Sequence, residues 1–268
     1  MIYGMDLHIM KAGELIYQDY GIIPGLMNNN HFPILIMIGR PASGKSEIIE
    51  YLKHIPKPER AERFRVADMD VLDDFPILWS WFEEDDILSK QFELPRLHSD
   101  ERYYFKYDYL WHVLIKKLGL EYEKRLVSGN HYHDGTTTIV EFSRGTEHGG
   151  YTEAFKHLPV QLLHRASIVY INVSFEESLR KNRLRFNPDE PGSILEHSLP
   201  DKKIETLYRH DDWTALSSSG DKYIDLKSVR VPYVVFENED DVTTGSRDRL
   251  GVRLESILYR LWVLHLNR

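Results

Sequence analysis

Apolar residues along the chain fall into short continuous runs and longer stretches with a hydrophobic position every three or four residues. Residues 32–38, Phe-Pro-Ile-Leu-Ile-Met-Ile, form a continuous run closed by Gly39, the pattern of a strand buried on both faces of a parallel sheet. Beyond a glycine loop, Ile48, Ile49, Leu52 and Ile55 share one helical face before Pro56 and Pro58 stop the helix. Residues 64–67 predict a short strand. Residues 73–92 and 103–127 predict helices, the second with Tyr103, Tyr107, Leu110, Trp111, Leu114 and Leu118 on its stripe. Strands are expected at 137–142, 167–173 and 231–236. Helices are expected at 151–163, 175–185, 202–216 and on the closing stripe Leu250, Leu254, Ile257, Leu258 and Leu261. Strands and helices alternate throughout, which predicts an α/β layer with a mainly parallel sheet. Residues 1–30 lack a period and are broken by Gly21, Pro24, Gly25 and three asparagines, so they read as an extension before a domain at 31–268.

Composition narrows the picture. A chain of 268 residues, 42% hydrophobic and 28% charged, has the balance of a globular protein, and disorder and fibre are excluded. It contains no cysteine, which removes disulfides, thiolate metal sites and cysteine nucleophiles and predicts an intracellular, cytoplasmic address. No apolar run approaches the ~20 residues of a membrane span. The net charge of -8 argues against broad binding to nucleic acid or anionic membrane.

The sharpest chemistry lies in the glycine loop. Gly39-Arg40-Pro41-Ala42-Ser43-Gly44-Lys45-Ser46 matches G-x-x-x-x-G-K-[ST], between a predicted strand and a predicted helix. In such a loop the backbone amides cradle phosphate oxygens, the lysine reaches the outer phosphates and the serine hydroxyl coordinates Mg²⁺. A chance match in a chain this long has a probability of roughly one per cent at average residue usage. The expected nucleotide contacts run through these eight residues and Glu47, with Lys45 also catalytic and Ser46 a metal ligand.

The loop resembles that of the P-loop kinases, the nucleoside monophosphate, deoxynucleoside and zeta-toxin-like kinases. Pro41, Ser43, Gly44, Lys45 and Ser46 match; Ala42 stands where many relatives have glycine, a change that negative φ would accommodate. The resemblance implies a three-layer P-loop NTPase fold over residues 32–268, a five-stranded parallel sheet with helices on both faces, and a helical lid near 180–212. It also implies ATP and Mg²⁺ as cofactors and a small-molecule phosphoryl acceptor such as a nucleoside, nucleotide or sugar derivative.

Within that frame an acidic residue after the second strand would act as base toward the acceptor hydroxyl. Asp68 and Asp70 are the candidates, with Asp70 preferred because it lies further beyond the expected strand end; the bland reading is a helix cap. Glu141, at the end of the third strand, would hold Mg²⁺ through water, and Arg144 would engage substrate or phosphate; a strand-end ion pair is the alternative. Arg180, Arg183 and Arg185 sit where a lid would close over ATP, with Arg209 as a further contributor and a solvated basic face as the alternative. Asn238, after the last strand, takes the position at which these kinases hold adenine. His131, Tyr132 and His133 with His148 make a weak metal pattern. Tyr104, Phe105 and Tyr109 fall off the helical stripe and are candidates to stack on a substrate base.

Two other functions remain open from the sequence. One is a nucleotide-dependent switch or assembly protein without an acceptor. The other is a kinase of nucleic-acid 5′-hydroxyl ends, which the acidic net charge disfavours.

Overall fold

A computed structural model describes residues 30–128, 132–185, 199–218 and 222–268. The extension at 1–29, His131 and residues 186–198 of the expected lid lie outside the described residues. The strands are β1 (Ile34–Gly39), β2 (Asp68–Asp73), β3 (Thr136–Phe142), β4 (Ala166–Asn172), β5 (Tyr223–Leu226) and β6 (Val229–Glu237). They form one sheet in the order β2-β3-β1-β4-β6-β5, parallel except for the β5–β6 pair. Between and after them run α1 (Lys45–Lys53), α2 (Lys57–Phe64), α3 (Phe75–Gln91), α4 (Tyr109–Ser128), α5 (Gly150–His157) and α6 (Val160–Leu163). The later helices are α7 (Phe175–Leu184), α8 (Asp201–Tyr208), α9 (Trp213–Ser217), α10 (Val242–Gly245) and α11 (Arg247–Leu266).

β1 is buried along its whole length because it pairs on both edges and is covered on both faces. Ile34, Ile36 and Ile38 pack on one side with Leu118 and Tyr122 of α4 and Phe155 of α5. Leu35 and Met37 pack on the other with Ile48 and Leu52 of α1 and Leu254 and Leu258 of α11. Helices therefore cover both faces of the sheet, as the apolar pattern requires. Among the described residues no helix is long and apolar enough to cross a membrane.

Five elements depart from expectation, one of them the helix expected at 151–163, which is broken into α5 and α6 at Pro159. The second strand is Asp68–Asp73 and not 64–67, because Pro58 sits in the first turn of an additional helix, α2, whose last residue is Phe64. The helix expected from residue 103 starts at Tyr109: the chain before it is a loop in which Tyr103 has φ 61 and Ser99 bridges Phe105. Buried Asp85 of α3 organises that loop, accepting the backbone N–H groups of Leu97, His98 and Ser99 at 2.6, 3.0 and 2.6 Å and the Ser99 hydroxyl at 2.7 Å. The helix expected at 202–216 is broken into α8 and α9. The sheet has six strands and not five, because β5 folds back on β6 through Lys227 and Ser228, at φ 50 and 65. Two left-handed residues make a tight hairpin turn, which normally announces itself as Asn-Gly; Lys-Ser carries no such signal.

Candidate active site

All parallel strands end on the same side, and the glycine loop leaves β1 between the ends of β3 and β4, where open α/β sheets bind ligands. The loop is tightly held. A Cβ on Gly39 would lie 2.6 Å from the Ile171 carbonyl oxygen, and Gly44 combines φ 112 with a Cβ position 2.6 Å from the Asn238 amide nitrogen. Ala42 is at φ 55, so the methyl is carried in the left-handed region and not at negative φ. The Asn238 side chain is fully buried and donates both amide hydrogens, to the Ser43 carbonyl at 2.7 Å and the Thr243 hydroxyl at 2.9 Å. It buckles the loop to β6 and α10, with both amide hydrogens already used. Arg40 turns aside to Asp211 at 2.9 Å and the Val173 carbonyl at 3.1 Å, while the Pro41 carbonyl accepts the Ser178 hydroxyl at 2.7 Å.

Lys45 opens α1 and is 5% exposed. Its ammonium donates to the carbonyls of Gly39 and Arg40 at 3.3 and 3.0 Å and to the Ser143 hydroxyl at 2.8 Å. Burial lowers its pKa, against the charge of nearby Glu141. The Ser46 hydroxyl donates to Glu141 Oε1 at 3.2 Å.

The β2–β3 register sets Asp73 opposite Glu141 at the ends of adjacent strands. Burial, then the charges of Glu141 and Asp74, push the Asp73 carboxyl up to about 8, although it accepts the Phe75 N–H at 2.9 Å. Burial likewise raises Glu141. A buried carboxylate, Glu141, and a half-buried one, Asp73, that resist ionising together beside a serine hydroxyl suit an oxygen-seeking divalent cation, so Ser46 and Glu141 fit Mg²⁺.

Asp68 and Asp70 are elsewhere. With β2 running to Asp73, Asp68 is its first residue, paired with Lys57 at 2.6 Å, and Asp70 lies mid-strand. Asp70 receives Arg125 at 2.6 Å and the Tyr132 hydroxyl at 2.6 Å, an anchor for α4. Neither lines the cleft described next; the strand-end acids are Asp73 and Asp74. Sequence reasoning missed them by ending the strand six residues early, although Pro76, in the first turn of α3, marks where the helix starts.

The loop opens into a cleft of 530 Å³. Its lining includes Lys45, Ser46, Asp73, Glu141, Ser143 and Arg144. Arg144 is 3% exposed and bonded to Asp74 at 2.6 Å and to the Trp111 carbonyl at 3.2 Å, its guanidinium stacked 5.3 Å above the Trp111 ring. Arg185 also lines the cleft and binds Glu47 at 2.7 Å. Burial pushes Glu47 up, but the guanidinium outweighs it and the pKa is lowered. Arg180 and Arg183 instead form exposed ion pairs, with Glu177 and Asp241 and with Asp201, and Arg209 pairs with Glu205.

The wall also carries a group of aromatic residues, Phe82 of α3, Tyr104 and Phe105 of the Asp85-anchored loop, Trp111 of α4 and Tyr208 of α8, together with the acids Glu50, Asp108 and Glu147. Of the expected stacking residues Tyr104 and Phe105 are in the cleft, whereas Tyr109 is outside it, stacked on Tyr107 at 5.3 Å. His148 packs on Trp111 at 3.8 Å, and burial lowers its pKa to about 2, so it is a neutral wall residue. His133 bonds the Tyr122 hydroxyl at 3.1 Å in the core, so these two histidines are not a shared metal site. Lys203, also missed in the sequence, enters the wall from α8.

No protein-family model matches the chain, and no curated protein matches it. Solved structures similar to it include an unliganded sugar kinase from Janibacter sp. HTCC2649, 14% identical, with a TM-score of 0.40 over 85% of this chain and 95% of that one. Another is shikimate kinase from Acinetobacter baumannii in complex with shikimate, 13% identical, with a TM-score of 0.39 over 85% of this chain and 94% of that one. At these values neither decides anything about this chain.

Proposed function

We propose that the chain is an ATP- and Mg²⁺-dependent kinase that transfers the γ-phosphoryl group to a small molecule. The observation that carries this reading is the shared cleft: residues of the glycine loop, Lys45, Ser46, Glu141 and Asp73 line the same 530 Å³ cleft as Phe82, Tyr104, Phe105, Trp111 and Tyr208, where an acceptor would lie. A switch protein has no need of that acceptor space.

The backbone amides at the start of α1 and the Lys45 ammonium hold the triphosphate. Mg²⁺, held by Ser46 and Glu141, would neutralise charge on the phosphate oxygens. Asp73 takes the proton of the acceptor hydroxyl as that oxygen attacks; its raised pKa gives the transfer driving force near neutral pH. Arg144, fixed by Asp74 and Trp111, supplies a preorganised positive charge for the phosphoryl group in flight, and Arg185 supplies another. Positioning and electrostatics are most of such catalysis, consistent with a site rich in carboxylates and arginines.

Thermal melts with ATP and Mg²⁺ test the nucleotide half. The wild type should gain stability on adding the pair, and Lys45→Ala should lose most of that gain while remaining folded. An equal gain in a folded Lys45→Ala protein contradicts the assignment. A screen of a metabolite library for phosphate transfer then finds the acceptor.

A further inference from the structure

Lys203 is a buried lysine whose pKa burial lowers to about 8, against the more distant charge of Asp100. It is 9% exposed, and its ammonium donates to the backbone carbonyls of Tyr103 at 2.6 Å and Arg102 at 3.4 Å. The Phe82 and Tyr104 rings lie 5.3 and 4.9 Å from it. Among the described residues no carboxylate comes within ion-pairing distance of Lys203, whereas the two arginines of the same cleft each have one, Asp74 for Arg144 and Glu47 for Arg185. Burying an ammonium costs several kcal/mol unless a partner offsets it, and two carbonyl dipoles and two ring faces offset only part.

A second polar group in the same wall is also unspent. The His148 Nδ1 accepts the Gly145 N–H at 3.3 Å, which places the proton on Nε2, and that atom is buried with no hydrogen-bond partner. Lys203 and His148 thus stand in a wall shared with Phe82, Tyr104, Phe105, Trp111 and Tyr208, while Asp73, Asp74 and Glu141 are gathered at the strand ends and Glu47, Glu50, Asp108 and Glu147 also line the cleft. Lys203, a buried cation with no ion-pair partner among the described residues, is the point in this wall that draws an anion, and an apolar or flat body packs against the rings beside it.

We propose that the phosphoryl acceptor is a hydroxyl compound with an apolar or aromatic body and an anionic group, carboxylate or phosphate, which Lys203 receives. This rests on the kinase reading above and adds the chemical class of its acceptor. Lys203 would also set the orientation: with the anion held there, the hydroxyl end is left free to reach Asp73.

The test is steady-state kinetics on whichever compounds accept phosphate in a metabolite library that contains neutral, carboxylate and phosphate-bearing hydroxyl compounds in comparable numbers. The accepted compounds should be anionic, and whether they carry carboxylate or phosphate identifies the source of the charge. Lys203→Met should raise their KM by ~10–100-fold, the worth of one charge-assisted hydrogen bond, with kcat within about threefold and the stabilisation by ATP and Mg²⁺ unchanged. Lys203→Arg should recover most of the affinity. If Lys203→Met does not fold, the amide or ester of an accepted compound, assayed on the wild type, should show the same KM penalty. Transfer to neutral compounds, or a KM indifferent to Lys203 and to the amide replacement, overturns the anionic acceptor and leaves the kinase standing. A protein that binds ATP with Mg²⁺ yet phosphorylates nothing overturns the kinase reading and this inference with it.

Discussion

Ala42 shows how one residue records the shape of the loop around it. Its φ of 55 places a residue with a Cβ where glycine is at ease, at a strain of about 1–2 kcal/mol. The methyl is 4% exposed, so its packing offsets part of that strain. Ala42→Gly should accordingly be close to neutral, within ~1 kcal/mol in denaturant melts, because strain relief and lost burial oppose each other. Ala42→Val should cost more than ~2 kcal/mol, since β-branched side chains tolerate the left-handed region worst. A valine variant as stable as the wild type would show that the loop does not have this shape. The motif itself was fully legible in the sequence, because the glycines, lysine and serine are fixed by the requirements of phosphate; the backbone angle of a tolerated substitution was not.

At the scale of elements, the loop between α3 and α4 supplies several of the aromatic wall residues, and the buried carboxylate of Asp85 is its main anchor, with Asp86 holding Arg96 and Tyr103 beside it. Burial pushes Asp85 up, but the Ser99 hydroxyl and the N–H groups of His98, Leu97 and Ser99 outweigh this and hold its pKa at about 2. Asp85→Ala leaves those donors unsatisfied and should cost on the order of 2–3 kcal/mol. The same substitution should raise the acceptor KM while leaving ATP binding nearly intact, because Tyr104 and Phe105 lose their support. The sign of its pH dependence is that of a depressed carboxyl: its contribution is complete above the unfolded pKa near 4 and is lost as pH falls through about 2. Equal acid sensitivity in wild type and Asp85→Ala would refute the anchor. In the sequence Asp85 is one member of an acidic run, Glu83-Glu84-Asp85-Asp86, and nothing local distinguishes the buried member from its solvated neighbours. The alternation of strands and helices was readable because apolar periodicity reports burial. The end of β2 was misread because Asp68 and Asp70 are polar residues inside a strand near the edge of the sheet, where periodicity weakens.

For the whole molecule, the concentration of acids at the strand ends links stability to pH and to divalent cations. Asp73 has a folded pKa raised to about 8. Its contribution to stability is therefore complete below the unfolded pKa near 4 and is lost as pH rises through about 8. Mg²⁺ offsets the negative charge that ionisation leaves behind, so Mg²⁺ should raise the melting temperature more at pH 8 than at pH 6. Asp73→Asn should melt higher than the wild type at pH 8 in the absence of cation. A Mg²⁺ effect independent of pH, together with an unchanged melt for Asp73→Asn, would mean that these carboxylates are not jointly buried.

The most direct test of the account is the rate of phosphate transfer in Asp73→Asn and Asp70→Asn, measured side by side with ATP affinity. Asparagine keeps the size of either residue and removes its charge. If Asp73 handles the acceptor proton, Asp73→Asn should lower transfer by ~10²–10⁴ with little change in ATP affinity, while Asp70→Asn, which loses only an anchor to Arg125 and Tyr132, should transfer within a few-fold of the wild type. Transfer undiminished in Asp73→Asn, or abolished in Asp70→Asn with the protein folded and ATP bound, would contradict it.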